Sequence, residues 1–214
     1  MRSFVSTRAR NSAISADTPS CRLYLTTPPE LISGGVAVSA FADLLHRTIS
    51  ATDVACLRIA GNDGTRVATI AKELMGPAQE AGVAVLLDDP ELARNLGADG
   101  VHLEDPARYA EVRRRLGPDF IVGVACPLER HIAMEVGEAD ADYVQFTCAN
   151  ENIDDALDLI GWWSEVMTVP GVVACPPDRE IAARIVAAGA DFLAPDVTLW
   201  NLPDPVAFVA GLIP

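Results

Sequence analysis

Residues 82–89 read GVAVLLDD and residues 96–103 read LGADGVHL, and these two stretches decide the fold. Each contains a short apolar run, and the polar segment between them begins with Pro90. A continuous apolar run of about four to eight residues is typical of a strand that is covered on both faces, as in parallel sheets. Proline suits the first turn of a helix. The two stretches therefore predict a strand, a helix and a second, parallel strand.

The same alternation extends in both directions, from Cys21 to the end of the chain. The predicted strands are residues 22–25, 54–59, 83–87, 100–103, 120–125, 143–146, 172–175 and 192–194. The predicted helices are residues 36–48, 66–81, 90–96, 106–116, 128–138, 153–166, 179–188 and 204–212. This order predicts an α/β fold, a single (β/α)8 TIM barrel over residues 20–214. An open doubly wound sheet is the alternative, but no G-x-G-x-x-G motif follows the first strand.

A weak internal repeat supports the barrel. An aspartate stands just before each even-numbered strand, at Asp53, Asp99, Asp142 and Asp191. In a (β/α)8 barrel this position lies at the amino ends of the strands, where residues serve stability, whereas active sites lie at the carboxyl ends. We therefore expect the four aspartates to be structural.

Composition narrows the function classes. The chain has 214 residues, 50% of them apolar, and a net charge of -14. This charge argues against nucleic acid and anionic membranes as partners. The five cysteines form no C-x-x-C pair, which indicates a protein of a reducing cytoplasm without a disulfide framework. Residues 1–19 carry Arg2, Arg8 and Arg10 but no acid before Asp17, and we expect them to form a flexible arm.

Carboxylates follow two neighbouring predicted strands at the end where an active site is expected. Asp88 and Asp89 follow the third strand, and Glu104 and Asp105 follow the fourth. Carboxylate oxygens are the ligands that Mg²⁺ prefers. The alternative is that these residues cap the helices that begin there, since aspartate is a favoured N-cap residue.

A histidine and several cysteines also fall within or just after predicted strands. His102 is either a substrate contact or a satisfied core residue. Cys56, Cys126, Cys148 and Cys175 are either packed as small apolar side chains or form a thiol or soft-metal site. The sequence leaves both pairs of alternatives open.

Three stretches resemble the central segment of thiamine phosphate synthases. They are residues 82–103, residues 115–124 (RLGPDFIVGV) and residues 139–144 (ADADYV), and the resemblance extends over residues 21–195. It implies a barrel that joins hydroxymethylpyrimidine diphosphate to a thiazole phosphate and releases pyrophosphate with the help of Mg²⁺. Small phosphorylated substrates, and an oligomeric state as in many members, are expected on the same ground.

The resemblance also suggests site residues. Arg58 remains from a Gln-Leu-Arg-Glu-Lys motif and is the expected catalytic residue. The expected substrate-binding residues are Arg58, His102 and Gln145, and the expected Mg²⁺ ligands are Asp88, Asp89 and Asp105.

The second half of the expected site departs from the family. Residues 147–152 (TCANEN) replace a longer Pro-Thr-x-Thr-Lys loop, Pro176-Pro177 replaces a Gly-Gly pair, and Asp196 places a carboxylate where the family binds phosphate. Proline has no N–H to donate to a phosphate. The sequence therefore leaves three hypotheses: an active synthase, an impaired barrel of the same ancestry that binds or regulates, and another phosphosugar-type barrel lyase or isomerase.

Overall fold

The computed structural model describes residues 21–213, apart from the side chain of Asn150, and the arm predicted for residues 1–19 lies outside this range. Parallel strands close into a barrel in the order β1 to β8, as predicted. The strands are β1 (Arg22–Thr26), β2 (Val54–Ile59), β3 (Ala84–Leu87), β4 (Gly100–Leu103), β5 (Ile121–Ala125), β6 (Tyr143–Thr147), β7 (Gly171–Cys175) and β8 (Phe192–Pro195).

Helices surround the barrel, and all but the last of them lie between consecutive strands. They are α1 (Glu30–Ser33), α2 (Val38–Ala51), α3 (Gly64–Glu80), α4 (Pro90–Leu96), α5 (Tyr109–Leu116), α6 (Arg130–Glu138), α7 (Ile153–Val166), α8 (Arg179–Ala187) and α9 (Pro205–Val209). Single 3-10 turns cover Pro106–Arg108, Asn150–Asn152 and Val197–Asn201. The short α1 and the 3-10 turns were not predicted, because segments of three to five residues are too short for a helical period to show. Within residues 21–213, no helix combines the length and apolar character that a membrane span requires.

Side chains from alternate strand positions fill the interior of the barrel. The side chains that pack together there include Tyr24, Cys56, Leu86, Ile121, Tyr143, Val172, Phe192 and Ala194. Gly123 of β5 makes room for the ring of Tyr143, its partner on β6. A Cβ atom at Gly123 would lie 1.8 Å from Cζ of Tyr143, so only glycine is compatible with this ring position.

Three of the four repeated aspartates bind backbone at the amino end of the barrel, as expected of structural residues, while Asp53 pairs with the side chain of Arg22. The N–H of Asp99 donates to the carbonyl of Val85 at 2.9 Å, and Oδ2 of Asp99 accepts the N–H of Val85 at 2.8 Å. The same reciprocal pair of bonds recurs between Asp142 and Val122 and between Asp191 and Gly171. Each of these carboxylates therefore satisfies an N–H at the amino end of the preceding strand.

Candidate active site

Arg58 lies at the carboxyl end of β2 with its side chain directed into the barrel mouth. Its Nε donates to Oδ1 of Asp88 at 2.8 Å, and its Nη2 donates to Oε1 of Glu104 at 2.7 Å. Because parallel strands β2, β3 and β4 are neighbours, their carboxyl ends bring these three residues together. Only 11% of the Arg58 side chain is exposed, so the guanidinium is a nearly buried charge between two carboxylates.

The two carboxylates are held differently. Asp88 also accepts the backbone N–H of Gly61 through Oδ2 at 2.9 Å, so both of its oxygens are engaged, and 26% of its side chain is exposed. Glu104 is 68% exposed. Burial alone would lower the pKa of Arg58, but the hydrogen bond and the charge of Asp88, helped by Glu104, raise it above its ordinary value. Arg58 is therefore permanently cationic.

A line of polar groups runs from the mouth into the barrel. The hydroxyl of Tyr24 lies 3.0 Å from the hydroxyl of Tyr143, which in turn lies 2.8 Å from Nδ1 of His102. Nε2 of His102, by contrast, is buried without a hydrogen-bond partner, and it lies 3.7 Å from Oε1 of Glu104. No other buried side-chain nitrogen or oxygen in the described part of the chain lacks a partner.

Burial and then the charge of Arg58 lower the pKa of His102 well below its ordinary value, so the ring is neutral. A neutral imidazole has one N–H and one lone pair. With Nδ1 engaged by Tyr143, Nε2 carries either a proton or a lone pair on the side of Glu104. Nε2 is therefore a buried polar atom whose hydrogen bonding is incomplete.

The residues expected to bind Mg²⁺ occupy adjacent loops, and each of them is engaged in other contacts. Oδ1 of Asp89 accepts the N–H groups of Glu91 and Leu92 and so caps α4. Oδ1 of Asp105 caps the turn at Pro106–Arg108. Among residues 21–213, no three His, Cys, Asp or Glu side chains gather in a group that could hold a metal.

These carboxylates still suit a Mg²⁺ ion that binds together with the substrate. Magnesium usually takes one or two protein carboxylates and completes its shell with water and substrate phosphate. Asp89 and Asp105 each cap a helical turn through Oδ1, which leaves Oδ2 outside the capping bonds. The residues therefore suit an ion that arrives with a substrate rather than a resident metal enclosed by protein.

The other half of the mouth offers fewer donors. Gln145 of β6 shares the inward face with Tyr143, two residues before it, and is half-buried. Asp196 after β8 accepts the N–H of Thr198, so its own carboxylate caps the short turn Val197–Asn201. Pro176 and Pro177 follow β7 and have no N–H. Anion-binding groups are thus concentrated on the side of β2 to β4.

All five cysteines are buried. Burial raises the pKa of Cys126 to about 12, and burial together with neighbouring acidic groups does the same for Cys175. Thiols of this kind are protonated and unreactive at neutral pH. The structure favours the packing interpretation of these residues.

Sequence reasoning missed the roles of Glu104, Tyr143 and Tyr24. Glu104 follows His102 by two positions, so strand alternation could have placed it on the same face as Arg58 and His102. The tyrosines read as ordinary strand residues, because nothing in the sequence indicates that β1, β4 and β6 meet inside the barrel at the same height.

Comparison with known proteins gives a consistent result. Residues 23–195 match the family described as thiamine monophosphate synthase. A thiamine-phosphate synthase of Hyphomonas neptunium is 42% identical over 87% of this chain and 89% of its own length. One of Rhodospirillum centenum is 42% identical over 89% of this chain and 95% of its own. The thiamine phosphate pyrophosphorylase structure from Pyrococcus furiosus shares the fold, with a TM-score of 0.75 and 18% identity. The match covers 91% of this chain and 94% of the Pyrococcus chain.

Proposed function

The chain belongs to the thiamine monophosphate synthase family, and from this premise we propose that it is a thiamine-phosphate synthase. The reaction joins hydroxymethylpyrimidine diphosphate to thiazole phosphate. The bond between the methylene carbon and the diphosphate oxygen breaks, the thiazole nitrogen bonds to that carbon, and pyrophosphate leaves. The observation that carries the proposal is the 42% identity to synthases over nearly the whole barrel.

Arg58 is the group suited to the departing diphosphate. A guanidinium offers N–H donors in a fixed fork that matches phosphate oxygens, and a nearly dry site strengthens the interaction. Asp88 holds the guanidinium from one side through a carboxylate that Gly61 also fixes. We assign Arg58 the catalytic role and Asp88 a positioning role.

The floor of the mouth would receive the pyrimidine. Nε2 of His102 is the unpartnered polar atom there, and Gln145 adds an amide on the same inward face. Tyr24 and Tyr143, both fully buried, form the floor beneath them and keep water from reaching the reacting carbon from below. His102 and Gln145 are therefore proposed as substrate-binding residues.

Magnesium, when bound, would neutralise charge that develops on the leaving pyrophosphate. Asp89 and Asp105 would hold it through the oxygens that do not cap helices, with Asp88 beside them. The overall charge of -14 makes such a cation useful, because the mouth must accept a polyanion against the field of the protein.

The departures after β6 to β8 raise the alternative of a catalytically impaired barrel. It is not favoured, because relatives that bear the synthase name share 42% identity with this chain over nearly its whole length. No feature of the mouth specifically favours a phosphosugar lyase or isomerase.

The test is an assay of the purified full chain with hydroxymethylpyrimidine diphosphate, thiazole phosphate and Mg²⁺, with thiamine phosphate measured by chromatography and pyrophosphate by a coupled assay. We expect the two products in equal amounts, and their loss when Mg²⁺ is chelated. Absence of both products with a folded protein and saturating substrates would overturn the proposal.

A further inference from the structure

Glu104 occupies a place at the mouth that is built for an anion. Its Oε1 lies 2.7 Å from Nη2 of Arg58 and 3.7 Å from Nε2 of His102. The first nitrogen is a permanent cation, and the second is the buried atom without a partner. The carboxylate satisfies Arg58 at normal hydrogen-bond length but stays too far from His102 to satisfy it.

Glu104 is also the only one of the two Arg58 partners that can leave at low cost. Asp88 is engaged through both oxygens, and one of its bonds is to backbone. Glu104 is 68% exposed, so its carboxylate can turn into water without desolvation. If it leaves, Arg58 keeps one carboxylate, and its Nη2 faces the mouth.

We propose that Glu104 is an internal surrogate anion, which the diphosphate of the substrate displaces from Arg58. This inference rests on the proposed function and adds to it a residue that sets the affinity of the site for the diphosphate. In the free protein Glu104 keeps the buried guanidinium paired. On binding, a diphosphate oxygen takes the place of Oε1, accepts from Nη2 of Arg58 and comes within reach of Nε2 of His102.

The exchange selects for charge. An incoming ligand must outcompete a tethered carboxylate, which is present at high effective concentration. A diphosphate offers more negative charge and more acceptor oxygens than a monophosphate, so it displaces Glu104 more readily. Because every ligand must displace the same carboxylate, Glu104 lowers the apparent affinity for a phosphate and for a diphosphate by the same factor, and only a ligand that binds Arg58 strongly reaches high occupancy.

The experiment measures binding of inorganic pyrophosphate and inorganic phosphate by calorimetry to the full chain and to Glu104→Gln. The amide retains the size of the side chain and removes its charge. Glu129→Gln is the matched control, because Glu129 is an exposed residue that directly precedes α6 on the mouth side of the barrel and has no contact with Arg58. It removes the same charge from the same face.

We expect Glu104→Gln to lower the Kd for pyrophosphate and the Kd for phosphate by about fivefold to tenfold each, with changes under about twofold in Glu129→Gln. The ring ¹⁵N resonances of His102 should shift when pyrophosphate binds to either Glu104 form, because Nε2 gains a partner.

An unchanged or raised Kd for pyrophosphate in Glu104→Gln would overturn the proposal, as would an equal gain in Glu129→Gln or a histidine spectrum that pyrophosphate does not alter. These readouts do not depend on turnover. If Glu104→Gln binds pyrophosphate more tightly but the wild type has no synthase activity, the surrogate anion is supported and the proposed function fails. If the wild type is an active synthase but Glu104→Gln does not bind pyrophosphate more tightly, the proposed function is supported and the surrogate anion fails.

Discussion

Arginines at the two ends of the barrel show how differently the ends are built. Arg113, on α5 at the amino end, binds the carboxylate of Asp142 and the backbone carbonyls of Gly117 and Phe120. Arg58 at the mouth binds two carboxylate side chains, one of them largely exposed. Backbone carbonyls are among the partners of Arg113, whereas both partners of Arg58 are side-chain carboxylates, one of which a ligand can replace. The contacts of Arg113 stabilise the barrel, and those of Arg58 leave a cation that an anionic ligand can reach.

The largest expected effect comes from exchanging the arginines for glutamine. Arg58→Gln should lower kcat/KM for thiamine phosphate formation by about 10²–10³, because it removes a preorganised charge from the leaving group. Arg113→Gln should leave kcat/KM within about threefold but lower the free energy of unfolding by about 1–2 kcal/mol, since it leaves half-buried acceptors without their donor. Steady-state kinetics and urea unfolding of both variants measure the contrast.

The control for Arg58→Gln is its own unfolding curve. A midpoint near that of the wild type would show that the loss of activity is not a loss of folded protein. If Arg113→Gln reduced kcat/KM as much as Arg58→Gln, the division between a structural end and a functional end would be wrong.

The second effect lies within the amino end. Asp99→Ala should destabilise the protein by about 1–3 kcal/mol, because the N–H of Val85 loses the carboxylate that it pairs with. Asp53→Ala is the matched variant of the same repeat. Asp53 is 63% exposed and pairs with the side chain of Arg22, so its loss should cost about 0–1 kcal/mol. Urea unfolding measures both, and equal costs would show that the reciprocal backbone bonds are not what distinguishes Asp99.

The barrel could be predicted from the sequence because each strand has a local pattern, a short apolar run between two helical segments. Residues 54–59 and 100–103 are short runs that are apolar apart from Arg58 and His102, and the structure places β2 and β4 at the same bounds. The Asp99 and Asp142 positions followed from the repeat. A regular alternation of local patterns is enough for such a fold, since parallel connections allow few topologies.

The site was predicted less completely, because its contacts join residues far apart in the chain. Arg58 was found through its motif, but its bond to Glu104 depends on two side-chain rotamers 46 residues apart in sequence. The line from Tyr24 to His102 crosses the barrel between β1, β6 and β4. Spacing along the sequence does not encode contacts of this kind.

The third effect concerns the interior that joins the two ends. Tyr143→Phe removes the hydroxyl that bridges Tyr24 and His102, so two buried polar groups lose a partner, and we expect a cost of about 1–3 kcal/mol. Tyr24→Phe removes one of these bonds and leaves Tyr143 paired with His102, so about 0.5–1.5 kcal/mol is expected. Only Tyr143→Phe should raise the KM for the pyrimidine substrate, through misplacement of His102. A KM that stays constant in both variants would argue against His102 as a substrate contact.

The smallest effect is a pH dependence that belongs to the mouth alone. His102 is neutral in the folded state with a pKa well below its ordinary value of 6.5, whereas the unfolded chain binds a proton there near that value. Below about pH 6.5 the unfolded state therefore holds more protons, and stability falls by up to about 1.4 kcal/mol per pH unit from this group, while above it the contribution vanishes. Subtracting the urea stability of His102→Gln, measured from pH 5 to 8, from that of the wild type isolates this term, because other titrations cancel. A stability difference that does not change with pH would mean that His102 takes up its proton at the same pH in the folded and the unfolded state. Nε2 would then be a charged donor to Glu104 below that pH, rather than a neutral atom available to a ligand.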